Sequence, residues 1–178
     1  MKRKLNIIGI NGSASKNSSN LAILKYIAKI EKENIKLNIL ADLSEIPHFD
    51  TTLTDTNTPK EVENLRKLIN HSDGVIICAP EYVFSIPSRL KNVIEWCVST
   101  VVFSNKPVGL ITASASGKKA HEELQLLMNT IEAKLNDNCT LLIQGIKGKV
   151  DANGKITNQD TQIDLTNFTK YFKELINN

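Results

Sequence analysis

Short apolar runs that alternate with helix-spaced stripes constrain this chain more than any other feature. Leu5–Ile10, Gly74–Ala79, Val108–Thr112 and Thr140–Ile143 are too short for buried helices and read as core strands. Ile35–Ala41 alternates Ile35, Leu37, Ile39 and Ala41 with other residues, the pattern of a strand nearer an edge. Helical stripes lie between them. Asn20 to Lys32 carries Leu21, Ile23, Leu24, Ile27, Ala28 and Ile30, and Pro59 to His71 carries Val62, Leu65, Leu68 and Ile69. Pro87 to Thr100 carries Leu90, Val93, Ile94 and Cys97, and Lys118 to Leu135 and Asp160 to Ile176 follow the same spacing. Five β–α repeats in a row predict a mostly parallel sheet with helices on both faces, joined by right-handed crossovers. The 178 residues fit one such α/β domain spanning the chain, 1–178. Pro47–Pro59 reads as a loop, and Asp151–Gly154 as a turn closing a small hairpin.

Composition excludes several classes. A net charge of +3 is too small for a nucleic-acid surface, and 5% aromatic residues leave little for base stacking. Cys78, Cys97 and Cys139 are an odd number without Cys-x-x-Cys spacing, so neither a disulfide framework nor a zinc site is expected, and Cys78 reads as a buried thiol. His48, His71 and His121 lack metal-set spacing and read as surface or helix-end residues. The apolar stretch after the basic opening is broken by Asn6 and Gly9, and no run reaches the roughly 18 apolar residues of a membrane span. The expectation is a cytoplasmic protein with neither a nucleic-acid nor a membrane partner.

Ligands of open α/β sheets sit beyond the carboxyl ends of the strands. Three loops lie there: Asn11–Asn20, Pro80–Pro87 and Ala113–Lys119. The first holds four serines and three asparagines between a strand and a helix. Gly12 permits a sharp turn and close approach to a ligand. The hydroxyls of Ser13, Ser15, Ser18 and Ser19, the charge of Lys16 and the start of the next helix would suit a phosphate. The same residues also suit a helix N-cap and polar turn, and the pattern alone does not choose. Neither Gly-x-x-x-x-Gly-Lys-Ser/Thr nor Gly-x-Gly-x-x-Gly is present, which disfavours a nucleoside triphosphatase and a dinucleotide-binding Rossmann domain.

The second loop and the helix after it read Pro80-Glu81-Tyr82-Val83-Phe84-Ser85-Ile86-Pro87-Ser88-Arg89-Leu90-Lys91-Asn92-Val93-Ile94-Glu95-Trp96. This stretch resembles the Pro-Glu-Tyr-Asn-x-Ser-x-Pro-x-x-Leu-Lys-Asn-x-Ile-Asp-Trp signature of the NADPH-dependent FMN reductase family, a flavodoxin-like group that includes azo, quinone and chromate reductases. The first loop resembles the family's Gly-Ser-x-Arg-x-x-Ser phosphate loop. Asp73-Gly74-Val75-Ile76 and Asn105-Lys106-Pro107-Val108 resemble its approaches to the third and fourth strands. The match is specific from Leu5 to about Leu127 and loose afterwards.

The resemblance implies a flavodoxin-like three-layer sandwich, a five-stranded parallel sheet in order 2-1-3-4-5, with FMN at the strand ends and NADPH or NADH as co-substrate. Ser13, Ser18 and Asn20 would hold the phosphate, with Ser15, Lys16 and Ser19 beside them. Pro80, Glu81, Tyr82 and Val83 would border the ring, Ser85 and Pro87 would fix the start of the next helix, and Ser114, Ala115, Ser116 and Gly117 would close the other side. Hydride would pass from the nicotinamide to the flavin and on to a flavin, quinone, azo or metal acceptor, in a ping-pong sequence. A homodimer or homotetramer is implied, and Val101-Val102-Phe103 is the contact patch the sequence offers. Two positions depart from the pattern: Ser15 stands where the family has arginine, and Val83 where it has asparagine. Serine cannot supply arginine's planar fork, and Lys16 offers only a point charge. Both departures bear on flavin affinity and acceptor preference more than on fold. Glu81 reads as a general acid or, with more weight, as a loop residue acting through its backbone. Trp96 and Cys97 read as core or interface. A flavodoxin-type electron carrier and a flavin-free binding module are the alternatives, and an isoelectric point near 8.7 disfavours the carrier.

Overall fold

A computed structural model describes residues 3–178. Ten main elements follow the expected alternation: β1 (Leu5–Asn11), α1 (Ser19–Ile30), β2 (Ile35–Leu40), α2 (Lys60–Asn70), β3 (Gly74–Ala79), α3 (Ser88–Glu95), β4 (Val108–Ser114), α4 (Lys118–Thr130), β5 (Thr140–Gln144) and α5 (Gln159–Asn177). The five strands form one parallel sheet in the order β2-β1-β3-β4-β5. This is the order implied by the resemblance. The chain reverses its direction of travel across the sheet after β2, so the carboxyl ends of β1 and β3 lie side by side at the switch point.

Strand side chains alternate between two apolar layers, as a period of two requires. Ile8, Ile10, Val75, Ile77, Val108 and Leu110 pack under α2, α3 and α4 through Leu65, Ile69, Leu90, Val93, Leu124 and Met128. Ile7, Ile76, Cys78, Ile111 and Ile143 face α1 and α5 through Ile23, Leu24, Ile27, Leu165, Phe168 and Phe172. Because β3 is covered on both faces, all six of its residues are buried.

Several expectations need correction at element ends. Leu68 and Ile30 are exposed at the margins of their stripes. The third helix stops at Glu95 rather than near Thr100, and turns follow it. There the carbonyl of Trp96 accepts Nε and Nη2 of Arg66 at 3.0 and 2.6 Å, and Thr100 N–H turns back to Cys97. The fourth helix stops at Thr130, not Leu135, because Glu132 adopts a left-handed φ of 60°. Lys134 then runs beside Pro107 and accepts the N–H of Val108. Phe103 is 1% exposed and belongs to the core, so of the expected Val101–Phe103 patch only Val101 is fully at the surface. Trp96 and Cys97 are core residues, and the Asp151–Gly154 turn does close a small antiparallel bridge, Val150 to Ile156.

The end of α1 is tied to α5 by a largely buried ion pair. Both carboxylate oxygens of Glu31 lie 2.7 Å from Lys173 Nζ, and Asn34 and Thr169 donate to the same carboxylate. Burial alone would raise the Glu31 pKa. The hydrogen bonds from Lys173, Asn34 and Thr169 outweigh it and hold the group below its ordinary value. A carboxyl depressed in the folded state stabilises the protein above its unfolded pKa and loses that contribution as pH falls through the folded value. Lys173→Met strands a shielded carboxylate. It is expected to cost roughly 1–3 kcal/mol at neutral pH, less than a fully buried pair because the lysine reaches water, and to flatten stability on the acid side. Urea unfolding from pH 3 to pH 7 measures both effects.

Candidate functional site

The three loops named from the sequence converge at the carboxyl ends of β1, β3 and β4. Loop 1 leaves β1 at Asn11, which is fully buried and organises the turn. Asn11 Nδ2 donates to Ala41 O at 2.8 Å, and its Oδ1 accepts Ser13 N–H and Ser18 Oγ–H at 3.3 and 3.4 Å. A Cβ on Gly12 would stand 2.7 Å from the Ala79 side chain and 2.9 Å from Leu90. The glycine is thus required by packing of the loop against β3 and α3, a different reason from the ligand approach expected of it. Ser18 caps α1, accepting Leu21 N–H at 3.0 Å.

The serines of loop 1 gather where the positive end of α1 emerges. Ser13 Oγ accepts Ser15 N–H at 3.2 Å and lies 3.3 Å from Tyr82 OH, which ties loop 1 to loop 2. Ser15 and Lys16 are exposed, and Ser19 is half-buried. No acidic side chain lies in the first turn of α1. A cleft of about 300 Å³ opens beside the loop, between Asn17–Ser19 and the Asp151–Gly154 turn. Asn20 does not join this group through its side chain. Its Nδ2 donates to Ala113 O at 3.2 Å and its Oδ1 accepts the Cys78 thiol at 3.3 Å, both beneath the loops. Burial pushes that thiol far above its usual pKa, which keeps it protonated as a donor.

Glu81 in loop 2 has a role the sequence did not disclose. Helix α4 begins after Gly117, whose φ of 84° suits glycine and which has no side chain to cap the helix. Glu81 supplies the missing acceptors from the loop after β3. Its Oε1 accepts Gly117 N–H at 3.2 Å, and its Oε2 accepts Lys119 and Ala120 N–H at 2.9 and 3.1 Å. The carboxylate is therefore occupied as a helix cap, which corrects both the general-acid reading and the backbone-only reading. Glu123 on α4 answers in the other direction: its Oε2 accepts Ser85 Oγ–H at 2.8 Å and Ile86 N–H at 2.9 Å. Ser85 is thereby tied to α4, and buried Pro87 immediately precedes α3.

Between these anchors loop 2 makes a two-residue hairpin. Tyr82 N–H donates to Ser85 O at 2.9 Å and Ser85 N–H to Tyr82 O at 3.0 Å. The residues between them, Val83 and Phe84, have φ of 52° and 59°. Such turns favour Asn-Gly or Asp-Gly, and a β-branched residue there is a true outlier that costs about 1–2 kcal/mol. Val83, the position that departs from the family pattern, is 95% exposed at the tip of this turn.

Loop 3 is short. Ser114 ends β4, Ala115 and Ser116 are exposed, and Ala115 O accepts Gly145 N–H at 3.1 Å. His121, one turn into α4, places Nδ1 2.9 Å from Thr112 Oγ1. Burial holds its pKa below the usual histidine value, so it adds no cation to the loop at neutral pH. It is half-buried in the first turn of α4, whereas His48 and His71, the latter at the end of α2, are exposed. No cluster of potential metal ligands occurs among the described residues.

Asn92 and Trp96, both within the signature stretch, grip the segment after β2. Asn92 Oδ1 accepts Phe49 N–H at 2.7 Å, and Asn92 Nδ2 and Trp96 Nε1 donate to Pro47 O at 2.9 and 2.7 Å. Phe49 packs edge-on against the indole, with centroids 5.2 Å apart. Glu81→Ala removes the acceptor of three helix N–H groups. It is expected to lower stability by about 1–2 kcal/mol, read as a fall in Tm.

The donor set fits a phosphate-bearing flavin. Hydroxyls and a lysine surround a helix end that carries no competing carboxylate, and Glu81 is already satisfied. Comparison with known proteins agrees. The family model for NADPH-dependent FMN reductases matches residues 5–145. A quinone reductase of Escherichia coli K12 is 30% identical over 99% of this chain and 97% of its own length. An NAD(P)H-dependent FMN reductase of Pseudomonas aeruginosa is 27% identical over 88% of this chain and 86% of that protein. FerB, a flavoenzyme NAD(P)H:(acceptor) oxidoreductase from Paracoccus denitrificans, shares the fold with a TM-score of 0.85 at 24% identity, covering 97% of each chain. The chain belongs to the NADPH-dependent FMN reductase family and is an FMN-dependent NAD(P)H oxidoreductase.

Proposed function

We propose that the crevice between loops 1, 2 and 3 binds FMN and admits, in turn, a reduced nicotinamide and a quinone or flavin acceptor. The chemistry that FMN supplies when bound is acceptance of a hydride from the nicotinamide and delivery of two electrons to the acceptor. The observation that carries this reading is the convergence of the serine-rich loop with the Glu81-stapled loops at the sheet's switch point. Relatives named as quinone reductases and FMN reductases support the choice of acceptor class.

The residues of the chain bind and orient. Ser13, Ser15, Ser18 and Ser19 donate hydroxyl hydrogen bonds to the phosphate, and Lys16 adds charge in place of a planar arginine fork. The 3.4 Å bond from Ser18 to Asn11 is long enough for a phosphate oxygen to replace it. Asn20 contributes only from the backbone, because its side chain is engaged below. Pro80 and Tyr82 border the ring on one side, and Ser114, Ala115 and Ser116 close the other with backbone N–H groups aimed at a polar edge, next to Gly117, whose own N–H is held by Glu81. One crevice serving donor and acceptor gives a ping-pong sequence.

Among the described residues, no helix is long and apolar enough to cross a membrane. A cytoplasmic protein acting on small-molecule acceptors, one domain across 1–178, fits this reading. Self-association as a homodimer or homotetramer would use exposed Val98 and Val101 in place of the buried Phe103.

Anaerobic addition of NADPH or NADH to the FMN-loaded protein is expected to bleach the visible flavin band, and steady-state double-reciprocal plots are expected to be parallel. A flavodoxin-type carrier would keep its colour without a partner reductase, and a flavin-free module would stay colourless after FMN addition. The paired change Lys16→Ala with Ser18→Ala is expected to weaken FMN binding by roughly 10–100-fold, about 1.5–3 kcal/mol for charge-assisted contacts. Fluorescence titration measures it.

A further inference from the structure

We infer that the Val83–Phe84 tip is a contact for the electron acceptor, with Phe84 setting a preference for flat aromatic acceptors over small polar ones. The inference rests on the crevice described above. Three observations meet at these two residues. Val83 and Phe84 are 95% and 77% exposed, on a loop that borders the crevice. Their backbone is held in the left-handed region, which a hairpin of Asn-Gly type would reach without strain. The base of the turn is fixed on every side: by the paired hydrogen bonds of Tyr82 and Ser85, by Glu123 on Ser85 and Ile86, by Glu81 on α4, and by Tyr82 OH against Ser13.

The tip is thus rigidly presented, apolar, and maintained against two costs, strain and exposed hydrocarbon. Strain that the surrounding structure over-determines concentrates at functional sites. An apolar pair beside a crevice that must admit an aromatic acceptor offers edge and face contact to such a ring. It offers nothing to a small hydrated anion. Loop 1, by contrast, exposes Ala14, Ser15, Lys16 and Asn17, and loop 3 exposes Ala115 and Ser116, so the large apolar side chains exposed beside the crevice are those of loop 2.

The test compares two acceptors with the FMN-loaded protein and NADPH: 1,4-naphthoquinone and ferricyanide. Phe84→Ala is expected to raise KM for 1,4-naphthoquinone roughly 3–10-fold, the size of one aromatic contact. Ferricyanide turnover, FMN affinity and the rate of anaerobic bleaching should stay unchanged. Val83→Asn, which relaxes the turn and retains Phe84, is expected to raise Tm and to raise the naphthoquinone KM less than Phe84→Ala does. Parallel loss with both acceptors, or an unchanged KM with both, would overturn the inference. A drop in oligomer mass for Phe84→Ala by sedimentation would overturn it in favour of a subunit contact. Absence of bleaching in the unmutated protein would instead remove the proposed function on which the inference stands.

Discussion

Two carboxylates, Glu81 and Glu123, clamp the second loop and the fourth helix to each other, and the shape of the crevice depends on that clamp. The first N–H groups of any helix lack intrahelical partners. Here the residue before α4 is a glycine that can turn the chain but cannot cap it, and Glu81 reaches across from the loop after β3 to accept three of those N–H groups. Glu123, one helical turn further on, accepts two donors from the far end of the same loop. Charge-assisted bonds run in both directions, so neither segment can shift without breaking the other's anchors.

The clamp has an electrostatic consequence. A carboxylate pointed freely into the crevice would oppose both the flavin phosphate and any ring edge that gains negative charge. Bound to the positive end of α4, the Glu81 charge is met where the helix field is favourable. The helix end of α1, the one beside the serine-rich loop, carries no acidic residue. The two helix N-termini at this rim therefore differ in their caps: α4 is capped by a carboxylate from another loop, and α1 by the neutral hydroxyl of its own Ser18.

The signature stretch from Pro80 to Trp96 acquires a physical reading residue by residue. Asn92 and Trp96 pin the segment after β2, Ser85 and Glu81 belong to the clamp, and Pro87 precedes α3. These residues position loops rather than perform chemistry, which suits an enzyme whose redox chemistry is carried by its cofactor. Val83 is where this chain breaks the pattern. Asparagine tolerates a left-handed backbone and valine resists it, yet Val83 is held at a φ of 52° because the anchors of the turn outweigh the strain.

Sequence alone determined the order of elements, the parallel sheet and the three loops at its rim, because apolar periodicity and strand–helix alternation are local properties with few topological solutions. Tertiary structure decided what the residues of those loops do. Glu81 and its N–H partners are 36 to 39 positions apart, Asn20 and Ala113 are 93 apart, and no spacing rule links them. The burial of Phe103 and the early ends of α3 and α4 were likewise set by partners distant along the chain, Arg66 for one and the Pro107–Lys134 pairing for another. Hydrogen bonds that satisfy buried or helix-end groups must close wherever the fold brings a donor and an acceptor together, and only the folded chain fixes where that is.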